Sequence, residues 1–585
     1  MMIRTIKLFG LGIGLSLTLL WGNSHACTNF LVTRRASVDG STMITYAADS
    51  HYLYGELYHW PAAEYKAGTM LQVNEWDTGK FLGEIPQVLK TFNVVGNMNE
   101  YQVSIGETTY GGREELVDTT GLVDYGSLMY IALQRSKTAR EAIKVMAELV
   151  ENFGYYSSGE SFSVADPNEV WIFEMIGKGT KMVTDKKTKK TYNSNKGAVW
   201  VAIRIPDGYI SGHANHARIT TFPLENGKTS ISSKNLANIF NPEVEVVYAH
   251  DVISFARTAK YFNGKDADFS FSDIYAPLDF GGARFCEIRV WSFFKELDKS
   301  MWNHFDYVKG QNLTNRMPLY IKPERKISAQ DLMNFMRDHL EGTELDMSKD
   351  PGAGPHGLPY RWRPLTWEHE GKTYFNERAT ATQQTGFSFV AQMRNWLPNA
   401  IGGILWFGVD DVATSVYTPI YCSNTRTPES YAQGNGDMLT YSNTSAFWVF
   451  NKVTNFAYLR YDVMSQDIRK VQKEMEGYYA QMTPIVDQKA LELYKNSPAE
   501  AATFLTNYSV NTANSLVTSW GKLFEYLLVK YMDGNVKKEE NGKFKYNQYN
   551  AAPARVSNPQ YPDWWKKILI ESTGEKLLQP AGNSH

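Results

Sequence analysis

Alternating hydrophobic and polar positions run through the first half of the chain and predict β-strands. Residues 28–33 and 41–48 are two such runs, and the Asp-Gly pair between them is a strong turn signal. Residues 161–164 and 170–173 form a second pair, separated by a short turn that contains Pro and Asn. We therefore expect antiparallel sheets in this half of the chain.

Helical periodicity interrupts these strands at two places. Thr138 followed by Glu141 is a capping pattern, and an apolar stripe then continues to Gly154. A second helix is predicted to begin at Ser328 and to stop near Gly342. Strands with flanking helices fit two stacked antiparallel sheets covered by helices, which is an α+β fold.

Long helices dominate the sequence after about residue 440. Residues 445–479 keep a helical period, and Ser497 followed by a proline predicts another helix that runs to about Met532. We expect these helices to pack as a bundle against the sheets, and the tail from Pro553 to be extended. The predicted organisation is a signal segment, a sheet domain and a helical region, over residues 1–26, 27–440 and 441–585.

The charge balance argues against a dedicated nucleic-acid binder. The chain has 60 basic and 62 acidic residues, a net charge of −2, whereas phosphate binding calls for a basic excess or stripe. The one lysine-rich run, residues 178–196, is predicted to be an exposed hairpin tip. We expect no cofactor, because the glycine-rich loop at 352–357 lacks the Lys-Ser/Thr end of a phosphate loop. We also expect no metal, because His213 and His216 are predicted to lie on a strand and loop.

The first 26 residues have the three parts of a secretory signal peptide. Arg4 and Lys7 provide a positive start, residues 8–21 are uncharged and apolar, and a small-x-small cleavage site ends at Ala26. The apolar run is shorter than the roughly 20 residues of a transmembrane helix, and no later stretch reaches that length. We therefore expect an exported, soluble mature chain that is periplasmic or secreted, without a transmembrane segment.

Cleavage after Ala26 would make Cys27 the first residue, and two chemistries need a cysteine there. In an N-terminal-nucleophile hydrolase the thiol attacks a carbonyl, and its own α-amine accepts the proton. In a lipoprotein the thiol is acylated, and the chain would be a lipid-anchored, non-catalytic surface protein that binds peptide or glycan. Ser24 and His25 fit a lipoprotein signal poorly, so the sequence favours the hydrolase.

The cysteine count also indicates a free thiol. An exported protein often pairs its cysteines, but this chain has three, so at least one stays unpaired. Cys286 and Cys422 both have strand-like apolar neighbours, and we predict that they are small buried hydrophobic side chains.

A terminal cysteine needs a carboxylate close by. The α-amine titrates near 7.7–8.0, so a useful fraction is neutral and accepts the thiol proton, and a carboxylate must orient the ammonium that forms. If residues 28–33 and 41–48 pair, Asp49 returns to within a few residues of Cys27. We predict that Asp49 contacts the amine or the thiol; the alternative is that it only caps the strand end.

Several motifs resemble the dipeptidase A family of N-terminal-nucleophile (Ntn) cysteine peptidases and, more distantly, bile-salt hydrolases and penicillin V acylases. The resemblance covers about residues 27–448. It is carried by Cys-Thr-Asn-Phe-Leu-Val-Thr at 27–33, by Ala-Ser-Val-Asp-Gly-Ser-Thr at 36–42 with Asp49, and by segments at 96–109, 206–218 and 284–291. It implies an Ntn-hydrolase four-layer αββα sandwich with an added C-terminal helical region. It also implies hydrolysis of dipeptides or short peptides through an acyl-thioester on Cys27, with non-peptide amides as the alternative substrates.

The resemblance also implies roles for individual residues. Cys27 matches the nucleophile, and Asp49 matches the aspartate that orients the amine. Asn215 matches an asparagine expected near the oxyanion or the amine. Thr109 falls where the acylases carry an oxyanion asparagine, so only its backbone N–H could serve in this chain.

One feature of the family is missing from this chain. Many relatives have Arg-Asn shortly before the aspartate, whereas this chain has Tyr46-Ala47-Ala48. We expect Arg289 or Arg284 to supply the positive charge instead, from a segment that resembles a later strand of the family. The alternative is that each is an ordinary surface or ion-pair arginine.

Overall fold

Two large sheets form the centre of the molecule. The computed structural model describes residues 27–360 and 365–582, so the predicted signal peptide and its cleavage site lie outside the described residues. One sheet has seven strands, in the spatial order Tyr320–Ile321, Ile210–His213, Asn29–Val32, Thr42–Asp49, Thr385–Met393, Gly403–Val409 and Thr418–Tyr421. The other has nine, in the order Ser230–Ser232, Val246–Tyr248, Ala198–Arg204, Val170–Gly177, Gly159–Ala165, Ser104–Gly111, Met98–Asn99, Val94–Val95 and His59–Trp60.

The first predicted hairpin is confirmed. Asn29–Val32 pairs with Thr42–Asp49 in antiparallel register, with Leu31 opposite Ile44. A bridge between Thr28 and Ala47 continues the pairing toward the start of the described chain. The second predicted hairpin is also present, as strands Gly159–Ala165 and Val170–Gly177 of the nine-stranded sheet.

The strand after Cys27 is buried on both faces, because it lies between the other sheet and a helix. Phe30 stacks on Phe293 of the helix Ile288–Lys295, with ring centroids 4.3 Å apart. The neighbouring Asn29 points the opposite way and makes a 3.1 Å hydrogen bond with Ser163 of the nine-stranded sheet. The end of this strand is therefore held from both sides.

The capping patterns in the sequence predicted the start of two helices correctly. Ala139–Phe153 follows the cap Thr138, whose side chain accepts from the Glu141 backbone N–H, and it ends at Gly154. Ala329–Phe335 follows Ser328 in a capping box, but it stops well before the predicted end near Gly342. The reason is that the chain turns after Phe335, and Leu340 takes a left-handed conformation with φ of 64°.

Helices pack against both sheets. Tyr125–Arg135 and Ala139–Phe153 contact strands of the nine-stranded sheet. Ile288–Lys295 and Ala329–Phe335 contact strands of the seven-stranded sheet. The described residues therefore form an α+β fold in which both large sheets carry helices, as expected from the strand and helix patterns.

Two predictions of local structure were wrong. The segment expected to be an Arg-bearing strand, which includes Cys286, is helical: a π-helical stretch Gly282–Glu287 leads into Ile288–Lys295. Every residue of Ile288–Lys295 is buried, as in a core strand, although Arg289, Ser292 and Lys295 recur at the three-residue spacing of a helix. The tail from Pro553 is not extended throughout, because Asp563–Thr573 is a helix.

Other expectations of this kind are confirmed. The lysine-rich run forms an exposed hairpin, in which Met182–Thr184 pairs with Thr191–Asn193. All three cysteines are free; Cys422 is buried as predicted, whereas Cys286 is only half-buried.

Three helices form the C-terminal bundle, Ala446–Ala457, Tyr461–Asn496 and Pro498–Tyr531. The last begins as predicted, with the Ser497 side chain accepting from the Glu500 backbone N–H. It packs on the edge strand Thr418–Tyr421 of the seven-stranded sheet, so bundle and sheets share one hydrophobic core. None of the helices in the described part of the chain combines the length and apolarity needed to cross a bilayer.

Candidate active site

Cys27 lies directly before the first strand and lines a cavity of about 650 Å³. Only 4% of its surface is exposed. The cavity walls come from the end of strand Thr42–Asp49, the loop at 50–58, residues 76–78, Glu107 and helix Tyr125–Arg135. The volume falls within the usual range of small-molecule sites, roughly 300–1,000 Å³.

The thiol of Cys27 faces a tyrosine and a glutamate. Its Sγ lies 3.8 Å from Tyr46 Oη and 3.6 Å from Glu107 Oε1. The Tyr46 hydroxyl in turn donates to Glu107 Oε1. Burial raises the pKa of the Cys27 thiol well above its usual value, and the charges of Glu107 and Asp49 raise it further. The thiol therefore stays protonated until a base removes its proton.

Asp49 lies at the end of the strand beside Cys27, as the hairpin predicted. Its carboxylate accepts from Arg378 Nη2 at 2.6 Å and from Thr385 Oγ1 at 2.6 Å. A hydrogen bond from the Asp49 backbone lowers the pKa of the Cys27 thiol. Burial raises the pKa of Asp49 itself, and the Arg378 guanidinium opposes that rise. The predicted position of Asp49 is confirmed, while its predicted role toward the amine stays a prediction.

Arg289 fixes the backbone of Cys27 from behind the cavity. Its Nη1 donates to the Cys27 carbonyl at 2.6 Å and to Thr28 Oγ1 at 2.9 Å. Its Nη2 donates to Asn215 Oδ1 at 2.9 Å. Burial, followed by the nearby charge of Arg378, lowers the pKa of Arg289 to about 10, so it remains a cation at neutral pH.

Asn215 and Thr109 belong to the same network but do not line the cavity. Asn215 follows strand Ile210–His213 and has a φ of 56°, and its Nδ2 donates to the Thr109 carbonyl at 2.6 Å. The Thr109 hydroxyl donates to Glu160 Oε1 at 2.5 Å. The structure thus links Thr109, Asn215 and Arg289 to Cys27 in one chain of contacts, and the oxyanion roles of Asn215 and Thr109 stay predictions.

Arg284 lies in a different ion pair. Its Nε donates to Glu377 Oε2 at 2.9 Å. Arg378, which directly follows Glu377 in the sequence, is the cation that contacts Asp49. Of the two arginines expected from the sequence, only Arg289 contacts the Cys27 backbone.

His213, one of the two histidines considered for a metal, joins the two large sheets. His213 contacts Thr108 Oγ1 at 2.8 Å and Ser163 Oγ at 2.7 Å, and burial lowers its pKa to about 3. Over the residues that the structure describes, no group of three or more His, Cys, Asp and Glu side chains is arranged to hold a metal ion.

The part of the chain that contains this site also matches a known protein family. The model of Peptidase family C69 matches residues 26–59 and 54–474, which is more than half of the chain. The chain belongs to Peptidase family C69. The C69 match begins one residue before Cys27 and includes every predicted site residue.

Several curated proteins are similar to this C69 chain over most of its length. A probable dipeptidase of Latilactobacillus sakei is 23% identical, over 83% of this chain and 92% of the relative. A probable dipeptidase of Salmonella dublin is 25% identical, over 70% of this chain and 84% of the relative. A dipeptidase of Bifidobacterium longum is 22% identical, over 82% of this chain and 85% of the relative.

Three residues of the C69 site were missed from the sequence. Glu107 carried a usable signal, because it is the single charged residue of strand Ser104–Gly111, and an acid that is buried in a sheet needs a partner or a catalytic role. Tyr46 has no such signal, since a tyrosine is common in a buried strand. Arg378 reaches Asp49 across 329 positions of sequence, and no local pattern marks it.

Proposed function

We propose that this C69 chain is an exported cysteine dipeptidase that hydrolyses dipeptides or short peptides through an acyl-thioester on Cys27. The observation that carries the proposal is the thiol of Cys27 in the wall of a cavity of about 650 Å³, directly after the predicted cleavage site. The dipeptidase names of relatives that share most of its length support the substrate class.

The fold supports an Ntn-hydrolase assignment within this proposal. Each large sheet carries helices, and Asn29 and His213 reach from the seven-stranded sheet to Ser163 of the nine-stranded sheet. We assign these elements to a four-layer αββα sandwich. In such a sandwich the nucleophile begins a central strand, which is the position of Cys27 before Asn29–Val32.

The proposed reaction begins when cleavage after Ala26 frees the α-amine of Cys27. The amine accepts the thiol proton, and the sulfur bonds to the substrate carbonyl carbon while the π electrons move to oxygen. When the oxyanion collapses, the C–N bond breaks and the departing amine takes the proton from the ammonium. Water then attacks the thioester with the amine as base, releasing the acid and the thiol. Because burial keeps the thiol protonated, a base this close is needed.

Two groups keep the nucleophile in place during these steps. Arg289 holds the Cys27 carbonyl, so the rotation that would turn the thiol away from the cavity is restricted. Asp49 lies beside Cys27 and is itself fixed by Arg378 and Thr385, so its charge can stabilise the transient ammonium.

The experiment compares the mature wild-type protein with Cys27→Ala, after recovery from a host that exports it. We expect the mass and N-terminal sequence to show a start at Cys27 with a free amine. We expect Cys27→Ala to lower dipeptide hydrolysis by at least about a thousandfold, because the covalent step is lost. The melting temperature should change little, because the Cys27 thiol lines an existing cavity and its removal opens no new void in the core.

Cys422→Ala serves as the matched control, because Cys422 is also buried but lies outside the cavity lining. It should keep full activity. Retained turnover in Cys27→Ala would rule out the mechanism. Added lipid mass on Cys27 would block the amine and support the lipid-anchored binding protein, and cleavage of non-peptide amides alone would support the other amide hydrolase.

A further inference from the structure

The cavity that contains Cys27 is lined by acids and aromatic rings. Its carboxylates are Asp49, Glu56, Asp77 and Glu107, and no lysine, arginine or histidine belongs to its lining in the described part of the chain. Arg378 stands behind Asp49 and balances that one charge. A group that enters the cavity therefore meets a negative field, which attracts cations and repels carboxylates.

We propose that Glu107 binds the free α-ammonium group of the dipeptide, so that the enzyme transfers the N-terminal residue to Cys27 and rejects N-acylated substrates. This inference rests on the proposed dipeptidase function and adds the direction in which the substrate lies. The C-terminal carboxylate then points away from the acidic walls toward the cavity mouth.

The geometry near the thiol selects Glu107 among the four carboxylates. In a dipeptide the α-nitrogen is about 2.5 Å from the carbonyl carbon under attack, as standard bond lengths and angles require. The sulfur approaches that carbon to about 3–3.5 Å before bonding. The ammonium must therefore lie within a few ångströms of Cys27 Sγ, and Glu107 Oε1 lies 3.6 Å from that atom.

The side chains of the other three carboxylates make other contacts, whereas Glu107 contacts both Tyr46 and the thiol. The two oxygens of Asp49 accept from Arg378 and Thr385. Asp77 accepts from Tyr125 Oη at 2.9 Å, and Glu56 accepts from Gln433 Nε2 at 3.5 Å. None of these three has the side-chain contact with the thiol that Glu107 has, so they set the general field while Glu107 makes the specific contact.

The aromatic walls suit the same orientation. Tyr58, Trp76 and Tyr130 pack against one another in the lining, with Trp76 centred 4.8 Å from each of the other two rings. Such faces accept apolar or cationic groups and offer little to an anion. The side chain of the N-terminal residue can therefore lie in the cavity, whereas the substrate carboxylate gains nothing there.

Acetylating the substrate removes the cation while the glutamate stays buried. Glu107 is 1% exposed, so a neutral amide in place of the ammonium loses a charge-assisted contact with a buried acid. Sites that hydrogen-bond a polar group commonly reject an analogue without it by about 10⁴-fold. The discrimination should be large and should depend on Glu107.

The test uses the mature wild-type protein with one dipeptide in three forms: free, N-acetylated and C-amidated. We expect kcat/KM to fall by at least about 100-fold on N-acetylation and by less than about 10-fold on C-amidation. Equal cleavage of the N-acetylated form, or a larger loss on amidation than on acetylation, would overturn the inference while leaving the dipeptidase function standing.

Two variants assign the effect to its residue. Glu107→Gln should lower kcat/KM for the free dipeptide by much more than for the N-acetylated form, so that the preference, measured as the ratio of the two values, shrinks by at least about tenfold. Glu84→Gln, an exposed acid in strand Phe81–Pro86, should leave both values unchanged. An unchanged preference in Glu107→Gln would show that another group binds the ammonium.

Binding separates this inference from the proposed function. Calorimetry on Cys27→Ala should show the free dipeptide binding at least about tenfold more tightly than the N-acetylated form, whether or not the wild type turns it over. If the wild type has no turnover but this preference is present, the hydrolytic function fails and the ammonium site stands. If the preference is absent, the ammonium site is wrong.

Discussion

A single buried guanidinium, that of Arg289, joins three parts of the chain behind the thiol. It donates to the Cys27 carbonyl, to Asn215 Oδ1 and, through Nε, to the Phe285 carbonyl at 2.8 Å. An arginine can do this because its donors are arranged in a rigid fork, whereas a lysine offers one compact charge. The position of the nucleophile therefore depends on the shape of this side chain as well as on its charge.

Arg289→Lys tests this dependence. We expect kcat to fall by about 100-fold and KM to change much less, because a displacement of about 1 Å at the nucleophile has a cost of that size. Kinetics and a melting curve on the same preparation measure both effects. Arg284→Lys, in the ion pair with Glu377, is the matched control and should keep kcat. A fall in activity that follows only the folded fraction would show that Arg289 is purely structural.

The sequence revealed the local half of this site. Cys27 and Asp49 could be placed together because a hairpin connects them, and hairpins are short-range features. Arg289 could be named as a candidate, but it was predicted to lie in a strand and it lies in a helix. Arg378 could not be found, since its contact with Asp49 depends on how strand Thr385–Met393 pairs with strand Thr42–Asp49.

At the level of secondary-structure elements, a buried aspartate lies where a central strand contacts the C-terminal bundle. Asp410 directly follows strand Gly403–Val409; it has a φ of 67° and accepts from Asn451 Nδ2 at 2.8 Å. Asn451 belongs to helix Ala446–Ala457. Burial raises the pKa of Asp410 to about 7, so ionising this acid opposes the docking of the helix on the strand.

Asp410→Asn should make the protein more stable at alkaline pH. The folded-state pKa of Asp410 lies above the unfolded value of about 3.9, so its favourable contribution is complete below pH 4 and is lost as the pH rises through 7. At pH 8 the loss amounts to about 4 kcal/mol of unfolding free energy, which the amide avoids. Asparagine also tolerates a positive φ. Urea unfolding of both proteins at pH 4 and pH 8 measures the difference; equal stabilities at pH 8 would contradict it.

Element boundaries were predictable where a cap sets them. Thr138, Ser328 and Ser497 each begin a helix at the predicted position, because capping is a contact within one turn of the chain. The helix Ile288–Lys295 was mistaken for a strand, because all of its residues are buried and the resemblance outweighed the three-residue spacing of Arg289, Ser292 and Lys295. Long-range packing sets that environment, and a local pattern does not report it.

For the molecule as a whole, the C-terminal bundle is joined to the sheets by buried polar contacts as well as by apolar packing. Arg394, after strand Thr385–Met393, forms a buried ion pair with Asp487 of the second long helix. Glu476 of the same helix accepts from Arg337 at 2.5 Å and from the Tyr417 backbone N–H at 3.0 Å. Separating bundle and sheets would leave these charges unpaired in both parts.

We therefore expect the sheets and the bundle to unfold together. Trp520 of helix Pro498–Tyr531 is fully buried and stacks on Phe450, with ring centroids 4.9 Å apart. Trp520→Ala should lower the unfolding free energy by about 3–5 kcal/mol through the cavity it creates. Because the core is continuous, the loss of helical signal and the loss of dipeptide hydrolysis should move together to lower denaturant concentration.

Leu528→Ala, at an exposed position of the same helix, is the control and should move neither curve by much. If Trp520→Ala shifted the helical signal while hydrolysis kept its wild-type midpoint, the bundle would be an independent domain and the buried ion pairs would contribute little to holding it on the sheets.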